Sequence, residues 1–78
     1  MSKVELIFNL IKNAVCKYIL VPLKCTREDV MLLAINLDLL IKLNNLDYNE
    51  WYIIFKRYLK IEGSSELNNL ICYVKNRL

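Results

Sequence analysis

Seventy-eight residues make one domain, and a chain of this size buries only about 60% of the surface its unfolded form exposes, so its own core leaves a thin stability margin. Hydrophobic residues make up 56% of it, against about 45 to 50% in an ordinary globular chain. With no histidine, a single glycine and a net charge of only +3, the sequence lacks the residue types for general acid and base work, for a glycine-rich phosphate loop and for a strongly basic tail.

The apolar excess does not form a membrane span, because the runs Val30 to Ile35 and Trp51 to Phe55 fall far short of about 20 residues. Glu5, Lys12 and Lys17 break up any signal-peptide core in the first segment, so the expected location is the cytoplasm, with no membrane association. Cys16, Cys25 and Cys72 are widely spaced, with no CxxC pair, which argues against a zinc or thioredoxin-type site. Reduced thiols are expected, and no metal, cofactor or small-molecule substrate. A disulfide between any two would leave the third thiol over. The richness in Ile, Leu, Asn, Lys and Tyr is what AT-rich codons favour, a composition common in small helical proteins of viruses and plasmids. No family motif can be quoted from the sequence.

Four helices are predicted, over residues 3–20, 27–44, 48–62 and 65–77, in one all-α domain covering 1–78. Helix 1 sets Val4, Ile7, Ile11, Ala14, Val15 and Tyr18 on one face, widened by Leu6, Phe8 and Leu10, and Pro22 stops it. Thr26 and Asp29 form a capping-box pattern at the start of helix 2. Helix 2 is then apolar nearly all round, which predicts a central helix covered by the other three and exposed only along Arg27, Asp38 and Lys42.

Asn44 and Asn45 read as a turn, followed by Asp47 and Glu50 as a second capping pattern and by Leu46 and Trp51 as a hydrophobic staple. Helix 3 carries Trp51, Ile54, Phe55, Tyr58 and Leu59 on a broad aromatic face opposite Lys56, Arg57 and Lys60, and Gly63 is its expected C-terminal stop. Helix 4 is expected to be capped by Ser64 or Ser65 and to bury the narrow stripe Leu67, Leu70, Ile71, Val74 and Leu78. The whole reads as a compact four-helix bundle.

Two functional readings follow, neither enzymatic. The first is an interaction protein, forming a homodimer or binding a partner protein through apolar surface near helix 3. Trp51, Tyr52, Ile53 and Phe55 cannot all face one core, and Asn36, on the apolar side of helix 2, either finds a hydrogen-bond partner within the bundle or across a symmetry axis or lies at the edge of an incomplete core.

The alternative is a helix-turn-helix DNA-binding regulator. With Gly63 in the turn, the positions that should be apolar fall on Tyr58, Glu62, Ser64, Asn69 and Cys72, and only two comply. With Asn45 in the turn, Leu40, Leu46, Trp51 and Ile54 comply, although Asn44 does not and Ile41 is bulky where a small residue is usual. Helix 3 would then offer Tyr48, Asn49 and Tyr52 to base edges and Lys56, Arg57 and Lys60 to phosphates.

Overall fold

The computed structural model describes residues 2–19, 23–43 and 47–78. Four helices account for most of them: α1 (Lys3–Tyr18), α2 (Arg27–Lys42), α3 (Tyr48–Leu59) and α4 (Ser64–Arg77). The all-α four-helix bundle expected from the sequence is the fold observed. Its accessible surface of 5092 Å² is close to the roughly 5,000 Å² expected of a folded 9.3 kDa monomer. The exposed apolar residues described below therefore belong to a normally packed bundle.

Local chemistry sets most helix starts. Ser2 caps α1 by accepting the Glu5 N–H at 3.1 Å. Both halves of the box at α2 are present: the Asp29 N–H donates to Thr26 Oγ1 at 3.2 Å, and the Thr26 N–H donates to Asp29 Oδ2 at 2.9 Å. That second bond is the main reason the Asp29 carboxyl sits below its ordinary pKa, with the nearby Lys60 ammonium adding to it. Asp47 caps α3 by accepting the Glu50 N–H at 2.9 Å. The Asn44-Asn45 turn and the Leu46 half of the staple lie outside the described residues.

Four boundaries differ from the sequence reading; α2, for one, ends at Lys42 rather than 44, with Leu43 as its C-cap. Helix 3 ends at Leu59 rather than 62, because Lys60 takes the left-handed conformation (φ 57°, ψ 36°) and its N–H closes onto the Lys56 carbonyl. A non-glycine residue there costs about 1 to 2 kcal/mol. The reversal is compensated next door, where Ile61 turns into the core. Gly63 is consequently the N-cap of α4 and not the stop of α3, and Ser64 is already the first residue of α4. The first helix likewise ends at Tyr18, two residues before the expected boundary.

The larger correction concerns helix 2. The helices close a cycle in which α1 packs on α2 and α4, and α3 packs on α2 and α4. Neither α2 with α4 nor α1 with α3 comes into close backbone approach among the described residues, so α2 has two adjacent helices rather than three. Each helix has two neighbours and one face left for solvent. The core at the middle of the cycle is built from Ile7, Ile11 and Ala14 of α1, Leu33, Ala34 and Leu37 of α2, Phe55 and Leu59 of α3, and Leu67, Leu70, Ile71 and Val74 of α4. Leu78, expected in that stripe, is exposed.

Asp38 also departs from expectation. The sequence pattern sets it on the exposed strip of helix 2 with Arg27 and Lys42, yet it is only 6% exposed. Its Oδ2 accepts from Lys42 Nζ at 3.0 Å, while Oδ1 has no partner among the described residues.

Candidate interaction surface

Successive residues of an α-helix are displaced by about 100° around its axis, so the inward positions of α2 fix the outward ones. Val30, Leu33, Ala34 and Leu37 are buried, and Asn36 bonds to α3. What remains is an outward arc of about 100° holding Glu28, Leu32, Ile35, Leu39, Lys42 and, at the C-cap, Leu43. The four apolar members are exposed to 48%, 40%, 53% and 73% for Leu32, Ile35, Leu39 and Leu43. Single exposed leucines need no explanation, but four large aliphatic residues at spacings of three and four on one helix form a continuous stripe. The apolar circumference of helix 2 predicts a cover of neighbouring helices over these residues, and the cyclic packing removes that cover.

The residues expected to form a patch near helix 3 are dispersed by the fold. Trp51 and Phe55 are core residues, their rings 5.9 Å apart between centroids, and neither is accessible to a partner in the folded chain. This corrects their assignment to an interface. Their spacing of four puts both on the inward side of α3. Tyr52 is half-buried beside Tyr48. Ile53 is exposed, but its neighbours one turn away are Asn49, Glu50, Lys56 and Arg57, so it stands alone among polar side chains. Asn36 finds its partners inside the bundle: Nδ2 donates to the Leu32 carbonyl at 2.9 Å and to the Tyr58 hydroxyl oxygen at 2.8 Å.

The residues of the DNA-binding alternative all lie on or next to α3. Asn49, Lys56 and Arg57 are exposed. The Tyr48 hydroxyl donates to Asn68 Oδ1 of α4 at 2.6 Å, and Lys60 Nζ lies 3.6 Å from Asp29 Oδ2 of α2. Tyr48 and Lys60 are thus engaged in tying α3 to its neighbours.

A cleft of about 280 Å³ opens between α1 and the start of α2, walled by Phe8, Val15, Leu23 and Val30. Lys12 and Arg27 lie over the Phe8 ring, 5.4 and 5.3 Å from its centroid. Cys25, at the same cleft, has its thiol pKa raised by burial and by the Asp29 charge, which keeps it protonated and weakly nucleophilic. Cys16 and Cys72 are exposed and all three cysteines are free. No helix among the described residues is long and apolar enough to cross a membrane.

The outer face of α2 gathers four of the exposed large hydrophobic residues among those described into one stripe. No protein-family model matches this chain, and no curated protein or solved structure matches it either.

Proposed function

We propose that this is a non-enzymatic interaction protein that self-associates through the outer face of α2. The observation that carries the reading is the uncovered stripe Leu32, Ile35, Leu39 and Leu43. Holding four large aliphatic side chains in water on a 78-residue chain is costly, and each one fully buried contributes about 1.5 to 3 kcal/mol. A second apolar surface removes that cost without adding an element to the fold. The three thiols without a pairing pattern suit a reducing compartment, which supports the cytoplasm as the place of action.

Leu39→Glu tests this surface, because the residue is half-exposed and the charge can stay in water in the monomer. The variant is expected to keep its helical circular dichroism, and to share the thermal midpoint of the native chain at concentrations low enough for both to be monomeric. Its association, followed by sedimentation equilibrium, is expected to weaken by more than about a hundredfold, since each copy loses one buried leucine and must desolvate a carboxylate. Ile53→Glu serves as the control and should leave the mass unchanged. Association that survives Leu39→Glu but not Ile53→Glu would move the interface to α3 and end the proposal.

A further inference from the structure

We infer that the partner of the α2 face is a second copy of this chain, with the two α2 helices packed antiparallel across a two-fold axis beside Ile35. This rests on the self-association reading above and adds the orientation and register of the contact. The outward arc of α2 reads Glu28, Leu32, Ile35, Leu39, Lys42, Leu43; its first five members are symmetric in a particular way about Ile35, and Leu43 lies one residue beyond them, level with Arg27 of the partner subunit. Glu28 and Lys42 lie seven residues either side of Ile35, about 10.5 Å along the axis at 1.5 Å per residue. Leu32 lies about 4.5 Å before Ile35 and Leu39 about 6 Å after it.

A two-fold axis perpendicular to the helix at Ile35 brings Ile35 against Ile35 of the partner subunit. Leu32 then sits within about 1.5 Å, along the axis, of the level of Leu39 of the partner subunit. The same operation sets Glu28 level with Lys42 of the partner subunit at both ends of the stripe. A C2 contact of this kind is isologous, so one surface supplies both halves and no separate partner surface is required.

Charge decides the orientation. In a parallel pairing each residue faces its own copy, which would put Glu28 against Glu28 and Lys42 against Lys42. Only the antiparallel arrangement turns both ends into attractive pairs. Lys42 is available for this although it already holds Asp38, because its side chain is 67% exposed and its ammonium has three donors. The apolar spacing of three and four residues is that of a helix-pair seam, and α2 packs on α1 and α3 through the side that holds Val30, Leu33, Ala34 and Leu37, away from the outward arc.

Sedimentation equilibrium of the full chain and of Glu28→Gln and Glu28→Lys, at about 50 mM and about 500 mM salt, tests the register without disturbing the buried Asp38. The dissociation constant is expected to rise roughly three- to tenfold for Glu28→Gln, where two attractive pairs are lost, and by more than about tenfold for Glu28→Lys, where both become repulsive. High salt should shrink both differences. Circular dichroism of each variant confirms the fold independently. Tighter association of Glu28→Gln would mean a parallel pair, and no change in either variant would mean another register; both outcomes overturn the inference. If Leu39→Glu dissociates the dimer while the Glu28 variants do nothing, the antiparallel register falls and the α2 interface stands. If Leu39→Glu leaves the dimer intact, or the native chain is a monomer, both fall.

Discussion

Trp51→Ala is expected to leave the chain largely unfolded at 37 °C. Trp51 is 4% exposed and stacks on Phe55 in the α3 layer of the core, one turn after the Asp47 cap. Truncating a buried aromatic to alanine costs about 3 to 5 kcal/mol. A domain of this length has only about 4 to 12 kcal/mol of total stability, at roughly 0.05 to 0.15 kcal/mol per residue. The substitution therefore removes between a quarter and all of the margin. Urea unfolding followed by circular dichroism, at concentrations low enough to limit the contribution of association, measures it. A loss under about 1 kcal/mol would mean that Trp51 is not a core residue.

The second large effect is a pair of opposite signs at one ion pair. Asp38 is buried with one oxygen on Lys42 and the other without a partner among the described residues. A buried carboxylate contributes little once its desolvation is counted, whereas removing its counterion leaves an uncompensated charge. Lys42→Ala is expected to destabilise by about 1 to 2 kcal/mol, reduced from the figure for a fully buried pair because the lysine is mostly exposed. Asp38→Ala removes the desolvated charge and gains helix propensity, and is expected to stabilise by up to about 1 kcal/mol. If both substitutions destabilised equally, the pair would be an ordinary stabilising contact and the buried-charge account would be wrong.

Features that depend on near neighbours in the chain are legible in the sequence. The capping box of Thr26 and Asp29 and the Asp47 cap are set within four residues, and the Leu67, Leu70, Ile71 and Val74 stripe follows from helical period alone. The end of α3 is not legible in the same way, because Gly63 is the usual kind of left-handed stop, whereas this chain puts Lys60 in that conformation so that Ile61 reaches the core. Asn36 is recognisable as a residue needing a partner, but that partner is Tyr58, 22 residues away on another helix.

The interaction surface is legible only in part. An apolar circumference on α2 says that the helix could be covered everywhere, not which neighbours arrive, and the cyclic packing of α1 with α4 decides that one side stays open. The helical period of α3 places Ile53 in solvent, yet a lone isoleucine among polar neighbours makes no patch. The signal that points to α2 is in the chain all the same: a glutamate and a lysine seven residues either side of Ile35, with leucines between. Asp38 and Lys42 are evident as an i, i+4 pair, but burial of the carboxylate depends on how α2 packs, which period alone does not give.

The self-association of the α2 face is tested most directly by the absolute mass in solution, from light scattering after size exclusion, with and without reductant. About twice the 9.3 kDa chain mass is expected, unchanged by reductant, since the contact is apolar and the cysteines are free. A 9.3 kDa species at every concentration, or a dimer that disappears with reductant, would contradict it.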